Sequence, residues 1–158
     1  MNPSEKVKYI SNWIKSYVDK MPSKAQSLVI GISGGIDSSV SSTLSAMTGL
    51  KTIVLTMPIK QKENQHDLSL KHQEWLKETL KNVEGITVEL DSLFSTFEET
   101  LKNFDSLHGM ANSRARLRMT TLYQVAAANN GIVVGTGNKV EDFGVGFYTK
   151  YGLSLIHI

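Results

Sequence analysis

The 158-residue sequence contains no cysteine and only 3 prolines. Without cysteine, a disulfide framework, a thiolate nucleophile and a zinc ribbon are excluded, and so is redox chemistry through sulfur. The fold must therefore rest on apolar packing, and 41% hydrophobic residues in a chain of this length are enough for one compact domain. The lack of cysteine fits a reducing compartment, and we expect a cytoplasmic location.

The sequence also lacks long apolar runs and an excess of charge of one sign. Its longest apolar runs, such as residues 28–32 and 53–55, have the length of strands and are far shorter than a membrane span. The charged, amphipathic beginning of the chain predicts no secretory signal. With 17 basic and 15 acidic residues, the charge is too balanced for nucleic-acid binding by bulk electrostatics. We expect neither a membrane nor a nucleic-acid partner.

Apolar periodicity predicts strands and helices that alternate along the chain. Asn2, Pro3 and Glu5 form the capping pattern of a first helix. Strands are predicted over residues 27–32, 52–57, 86–90 and 132–134, and further helices over 38–47, 68–80 and 112–130. Gly85 is expected to precede the third strand, and Gly131 to end the last helix. This order predicts an α/β fold, a parallel sheet covered by helices on both faces.

A glycine-rich loop, Gly31-Ile-Ser-Gly-Gly-Ile-Asp-Ser-Ser39, follows the first predicted strand. It is not a Walker loop, because no Gly-Lys-Ser/Thr follows its glycines, and it does not match Gly-x-Gly-x-x-Gly. Gly34 and Gly35 allow a tight turn whose N–H groups approach a phosphate, and the loop's serines add hydroxyl donors. The helix expected from about Ser38 directs its positive end to the same place. The pattern predicts an anion-binding loop; the alternative is an ordinary strand-to-helix turn with a serine cap.

Asp37 adds a carboxylate to this loop. A carboxylate beside a bound phosphate repels it unless a cation lies between them. Mg²⁺ is bound in this way, through one or two carboxylates together with substrate phosphates. The loop therefore predicts a magnesium–phosphate site with Asp37 as a metal ligand.

The segment Ser33-Gly-Gly-Ile-Asp-Ser38 resembles the pyrophosphate loop of the ATP pyrophosphatases, which include NAD synthetase, GMP synthetase, argininosuccinate synthetase and several tRNA-modifying enzymes. Two further stretches resemble NAD synthetase in particular. They are Asn112-Ser-Arg-Ala-Arg-Leu-Arg-Met119 and Gly135-Thr-Gly-Asn-Lys-Val-Glu141, the latter followed by Gly146-Phe-Tyr-Thr-Lys-Tyr-Gly152. The resemblance covers nearly all of residues 1–152 and implies a Rossmann-like fold of the adenine nucleotide alpha-hydrolase type, truncated at its carboxyl end.

The resemblance implies a role for each matching residue. The ATP-binding residues would be Gly31, Ile32, Ser33, Gly34, Gly35, Ile36, Asp37, Ser38 and Thr136. The metal ligands would be Asp37 and Glu141, and the deamido-NAD contacts Arg116 and Lys150. Gln65 lies where the family recognises adenine.

Several of these residues also have a plainer interpretation. Thr136 could cap a helix, Glu141 could be a solvated acid beside Lys139, and Gln65 could simply begin a helix. We expect solvent exposure or structural ion pairing for the two neighbouring arginines, Arg114 and Arg118. Surface or capping positions are expected for the histidines, which lack metal-ligand spacing: His66, His72, His108 and His157.

The activity implied by the resemblance is that of an ammonia-dependent NAD synthetase. With ATP and Mg²⁺, the nicotinate carboxylate of deamido-NAD is adenylated and then amidated by ammonia, giving NAD, AMP and pyrophosphate. The resemblance also implies a homodimer whose interface helps to form the deamido-NAD site. Two alternatives are another ligase of the group, GMP synthetase-like or tRNA-modifying, and a non-catalytic nucleotide-binding fragment.

Both ends of the chain bear on this activity. About 26 residues precede the first predicted strand, so no glutaminase domain is expected there and free ammonia would be the nitrogen source. After Gly152 the family pattern continues with Asp-Gly-Gly, whereas this chain has Leu153. We expect an incomplete domain over residues 1–152, a non-native tail over 153–158, and no synthetase activity from the chain alone.

Overall fold

The computed structural model describes residues 1–60, 63–145 and 152, without the side chains of residues 63–65, 141 and 145. Within these residues the strands form one parallel sheet in the order β3-β2-β1-β4. The strands are β1 (Ser27–Ile32), β2 (Lys51–Thr56), β3 (Val83–Thr87) and β4 (Gly131–Val133). β1 lies between β2 and β4, with Ser27 opposite both Lys51 and Gly131. The predicted parallel α/β architecture is confirmed.

The helices connect the strands and cover the sheet. They are α1 (Pro3–Asp19), α2 (Ile36–Ala46), α3 (Glu63–Thr79), α4 (Asp91–Thr100) and α5 (Leu107–Ala128), with a 3₁₀ turn at Lys102–Phe104 and a π-helical turn at Val140–Val145. The predicted cap of α1 is confirmed, because Asn2 and Glu5 accept each other's backbone N–H groups. None of the described helices is both long and apolar enough to cross a membrane.

Side chains alternate between the two faces of the sheet and so build two apolar layers. On one face Val29, Ile53 and Leu55 pack with residues of α4 and α5, including Phe94 and Leu122. On the opposite face the cluster consists of Ile30, Ile32, Val54, Ala46 and Leu76, the last two from α2 and α3. Complete burial of an aliphatic side chain stabilises a fold by about 1.5–3 kcal/mol. Helices therefore cover both faces, as predicted.

The third strand begins earlier than predicted, and Gly85 lies inside it rather than before it. The reason is Gln73 of α3, which is buried against this part of the sheet. A Cβ atom on Gly85 would lie 2.8 Å from the Gln73 side chain. The Gln73 amide donates to the carbonyl oxygens of Val54 and Ile86, at 3.2 and 3.1 Å. Gly85 thus admits a close helix–strand approach and does not mark a turn.

The same correction applies to Gly131, which begins β4 and does not end α5. A Cβ atom there would lie 2.3 Å from Ser27 Oγ and 2.9 Å from the Ser27 carbonyl oxygen on β1. The turn after α5 is made by Asn130, whose φ of 47° is left-handed. Because Gly131 has no side chain, β4 can approach β1 closely enough to pair with it.

Candidate functional site

A cleft of about 610 Å³ opens at the carboxyl ends of β1, β2 and β4. Its walls are the predicted glycine-rich loop, the residues that follow β2, and part of α5. The lining residues are Gly31, Ile32, Ser33, Gly34, Gly35, Ser38, Met57, Ile59, Lys60, Leu68, Arg118, Leu122, Val134 and Thr136. In open parallel sheets ligands bind outside the carboxyl ends, where the strand order reverses. The chain passes from β1 to β2 on one side and returns to β4 on the other, so the cleft lies at that reversal.

The loop turns sharply between β1 and α2. Gly34 adopts a φ of 85°, a left-handed conformation that favours glycine, and Gly35 is the residue before the first helical turn. α2 begins at Ile36, two residues earlier than predicted. The unpaired N–H groups of its first turn therefore lie within the loop itself, which strengthens its suitability for an anion.

The loop's serines hold its shape. Ser38 is buried; it accepts the Ser33 N–H at 3.1 Å and donates to the Gly35 carbonyl oxygen at 3.0 Å. Ser39 donates to the same oxygen at 2.9 Å. We expected these hydroxyls to be donors for a phosphate, but in the structure both donate within the loop. The Gly35 N–H also donates within the loop, to Ser33 Oγ at 3.3 Å. The donors that the loop offers to the cleft are therefore mainly the N–H groups of Gly34 and of the first turn of α2.

Asp37 lies in the first turn of α2, half-buried, and is not among the residues that line the cleft. Asn138, from the segment after β4, donates from its side-chain amide to Asp37 Oδ2 at 3.4 Å. The Asn138 side-chain oxygen accepts the N–H of Val140 at 3.0 Å, and its carbonyl oxygen accepts the N–H of Asp142 at 3.0 Å. Asn138 therefore links the loop to the π-helical turn that contains Glu141.

Two arginines of α5 line different cavities. Arg118 lines the cleft and donates from Nε to the Met57 carbonyl oxygen at 2.9 Å, just beyond β2. Burial lowers the pKa of Arg118, and repulsion from Arg114 lowers it further. Arg116 instead lines a mainly apolar cavity of about 280 Å³ between α4 and α5. Arg116 and Arg118 therefore face different sides of α5.

The expectations for the remaining arginines are partly wrong. Arg118 is partly buried, and its Nε donates to a backbone carbonyl oxygen of a distant segment; within the described residues it forms no ion pair. Arg114 lies with its guanidinium 5.5 Å from the ring centre of the buried Phe94, a cation–π contact. No local sequence signal identified Arg118 as part of the cleft wall, because its partner Met57 belongs to a distant segment.

His72 also departs from the prediction of a surface or capping residue. It is half-buried where α3 packs on α2, and its Nε2 lies 3.0 Å from Ser42 Oγ. Its ring stacks on Trp75 with centres 5.6 Å apart. Burial lowers the pKa of His72. His72 therefore couples α3 to the helix that follows the loop.

Several predicted residues lie outside what the structure describes. Lys150 and the tail over residues 153–158 are among them, and for Glu141 and Gln65 only the backbone is described. Among the side chains that are described, no group of three or more His, Cys, Asp and Glu residues could hold a metal ion. The metal-ligand pair of Asp37 and Glu141 stays a prediction.

The fold and the loop together define a class, the open parallel α/β proteins with a glycine-rich turn at the switch point of the sheet. Within this class, the family model described as NAD synthase matches residues 6–155. The chain belongs to the NAD synthase family.

Individual relatives agree with this assignment. The NH₃-dependent NAD⁺ synthetase of Mesoplasma florum is 36% identical over 157 residues, which cover 96% of this chain and 61% of that protein. The enzyme of the same name from Mycoplasma genitalium is 36% identical over 153 residues, which cover 92% of this chain and 57% of that protein. The chain therefore spans about three fifths of the length of these relatives.

Solved structures share the fold. An NMN synthetase from Francisella tularensis superimposes with a TM-score of 0.85 at 35% identity, covering 96% of this chain and 61% of that one. An NH₃-dependent NAD synthetase from Campylobacter jejuni, in complex with nitrate, gives a TM-score of 0.83 at 30% identity, covering 96% of this chain and 63% of that one. The Rossmann-like fold class is confirmed.

Proposed function

We propose that this chain forms the ATP-binding part of an ammonia-dependent NAD synthetase. The observation that carries the proposal is the coincidence of the Gly31–Ser39 loop with the cleft at the switch point of the sheet. ATP would lie in this cleft with its phosphates on the backbone N–H group of Gly34 and on the N–H groups at the positive end of α2. Thr136 lines the same cleft and would contact the nucleotide.

The reaction proceeds in two displacements. A nicotinate carboxylate oxygen of deamido-NAD attacks the α-phosphorus of ATP, and the bond to the β-phosphate oxygen breaks, releasing pyrophosphate. Ammonia then attacks the carboxyl carbon of the adenylate, AMP departs, and the nitrogen loses a proton. Neither step needs a protein nucleophile, so the chain contributes by position and electrostatics.

The residues at the loop suit a magnesium ion. Asp37 offers a half-buried carboxylate beside the phosphate loop, a hard oxygen ligand of the kind that Mg²⁺ takes together with substrate phosphates. We propose Asp37 and Glu141 as its ligands. When bound, the ion would neutralise charge on the departing pyrophosphate. The acid at the first turn of α2 also interacts favourably with the helix dipole, so Asp37 keeps a structural role without metal.

We place the second substrate on the other side of α5. Arg116 lines its own cavity with Leu93, Phe97 and other residues of α4 and α5. Its guanidinium matches the carboxylate or phosphate groups of deamido-NAD, and Lys150 would add a second cationic contact. The family resemblance supports a homodimer whose partner subunit helps to enclose this substrate.

The proposal can be tested on the chain and on a chimera. We expect the 158-residue chain to bind ATP in the presence of Mg²⁺, measured by calorimetry. To test catalysis, we would build a chimera in which this chain replaces the matching part of the Mesoplasma florum relative. This chimera should convert deamido-NAD to NAD with ATP and ammonia, and should leave xanthosine monophosphate unchanged. A folded chimera that binds ATP but forms no NAD would disprove the proposed activity, and GMP formation would favour the alternative ligase.

A second candidate substrate comes from the structural comparison. The protein that superimposes with a TM-score of 0.85 is an NMN synthetase, so its product is a mononucleotide. The corresponding reaction here would amidate nicotinate mononucleotide by the same chemistry. Comparing kcat/KM for nicotinate mononucleotide and deamido-NAD in the chimera decides between the two, and we expect deamido-NAD to be preferred.

A further inference from the structure

Lys60 occupies a strained but well-supported position at the edge of the cleft. Its φ of 46° is left-handed, which an ordinary side chain adopts only when the surroundings hold it. Its N–H donates to Asp91 Oδ1 at 2.5 Å, and the preceding Ile59 is buried in the core. Asp91 and the buried Ile59 therefore hold the backbone at Lys60, whereas the exposed side chain has room to change its partner.

The Lys60 side chain stands between two cavities. It lines the cleft, and it also lines a charged cavity of about 310 Å³ together with Glu98, Glu99 and Lys102. Its ammonium group pairs with the carboxylate of Glu98 on α4. The Lys60 side chain is 52% exposed and that of Glu98 is 29% exposed, and water weakens ion pairs at partly exposed positions. The Lys60 ammonium group can therefore leave Glu98 for a multiply charged anion at a small cost in free energy.

The cleft has little other mobile positive charge. Among the described residues, its lining contains two cationic side chains, Lys60 and Arg118. Arg118 is committed to the Met57 carbonyl oxygen and is partly buried. Lysine, in contrast, carries its charge on a flexible four-carbon stem that can follow a ligand. Lys60 is thus the cation that can move to meet a polyphosphate.

We propose that Lys60 is a nucleotide-contacting residue whose ammonium group leaves Glu98 and pairs with the polyphosphate of the bound nucleotide. The inference rests on the proposed ATP site and adds a residue that the family motifs do not include. Glu98 then acts as a competitor of the nucleotide, because it neutralises Lys60 in the empty cleft. The contact favours nucleoside triphosphates and diphosphates over monophosphates.

Substitutions at the two residues should act in opposite directions. We would measure binding of ATP, ADP and AMP to the 158-residue chain by calorimetry with Mg²⁺. Lys60→Gln, which removes the charge and keeps the length, should weaken ATP about tenfold and leave AMP nearly unchanged. Lys60→Arg should restore most of the affinity. Glu98→Gln should tighten ATP, because it frees the ammonium group.

The double variant separates a direct contact from a general charge effect. If Glu98 acts through Lys60, Lys60→Gln combined with Glu98→Gln should bind ATP as weakly as Lys60→Gln alone. The matched control is Glu99→Gln, which removes one negative charge from the same cavity. Glu99 pairs with Lys102 and not with Lys60, so this variant should leave ATP binding unchanged.

Three results would overturn the inference. They are unchanged ATP affinity in Lys60→Gln, equal tightening by Glu98→Gln with and without Lys60, and equal tightening by Glu99→Gln. In each of these cases the wild-type chain still binds ATP, so the proposed function survives. A folded wild-type chain with no affinity for ATP would instead overturn both. Circular dichroism of each variant identifies any that fail to fold.

Discussion

At the scale of single residues, the separation of Arg116 from Arg118 decides which cavity each side chain lines. Successive helical residues are rotated by about 100°, so two arginines two positions apart face nearly opposite directions. In the structure one lines the cavity between α4 and α5, and the other lines the cleft. The short basic motif of α5 therefore lines two cavities, and substitutions in it should have separable effects.

Replacing Arg116 should affect the second substrate alone. If its guanidinium forms a charged contact, Arg116→Ala should weaken deamido-NAD by about 1.5–3 kcal/mol and leave ATP binding nearly unchanged. Calorimetric titration of the chimera with each ligand measures both effects. Lys102→Ala, at an exposed ion pair, serves as the control for loss of one positive charge. Equal losses for the two ligands would point to a folding defect.

Replacing Asp37 should expose the metal dependence of nucleotide binding. Asp37→Asn keeps the shape of the side chain but removes its charge, so the chain should fold while losing Mg²⁺-dependent affinity for ATP. The measurement is ATP affinity with Mg²⁺ and with a chelator, for the parent chain and the variant. The same increase in affinity on adding Mg²⁺ in both proteins would show that Asp37 does not bind the metal.

At the scale of elements, glycines explain where the sequence-based boundaries failed. Glycine between periodic segments usually marks a boundary, and the sequence pattern therefore predicts boundaries at Gly85 and Gly131. Each instead lies within a strand because something packs where a side chain would be, Gln73 of α3 in one case and Ser27 of β1 in the other. Those neighbours are distant in sequence, so no local pattern predicts them.

The two glycines should differ in how badly they tolerate a methyl group. Gly85→Ala meets side-chain atoms of Gln73 and Lys77, and should lower the free energy of unfolding by about 1–3 kcal/mol. Gly131→Ala meets the backbone oxygen of Ser27, which cannot move without shifting β1, so its loss should be larger. Urea denaturation of both variants gives the ranking, and Gly85→Ala as the more damaging change would contradict it.

The features that sequence could predict follow from local periodicity. The parallel sheet, its covered faces and the loop at the end of β1 all come from apolar runs and one motif within a few residues. Arg118, Lys60 and His72 were missed as parts of the site or of its support. Their partners are Met57, Glu98 and Ser42, each at least 30 residues away in the sequence, and only the folded chain brings these pairs together.

At the scale of the whole molecule, His72 should make stability depend on pH. Burial lowers its pKa below the ordinary value of 6.5, so the unfolded chain takes up a proton at a higher pH than the folded one. The free energy of unfolding should therefore be fully retained above about pH 6.5 and decrease as the pH falls through the window below it. Denaturant titrations between about pH 5 and pH 8 measure this slope.

His72→Gln should remove that contribution, since glutamine does not titrate. Among the other described histidines, His66 and His108 remain in the variant and provide the internal control. A variant with the same slope as the parent chain would assign the pH dependence to other groups. A reversed slope, with stability rising toward acid, would contradict the burial argument itself.

The position of β1 has a consequence for how the molecule moves. β1 pairs on both sides, and Leu28, Val29 and Ile30 are completely buried. Such amides exchange with solvent hydrogen only when the entire fold opens, whereas the surface segments exchange through local fluctuations. The loop at its end is therefore anchored to a strand that we expect to be among the last of the described elements to open. Local fluctuations of the surface segments should therefore have little effect on the shape of the loop and on its affinity for a ligand.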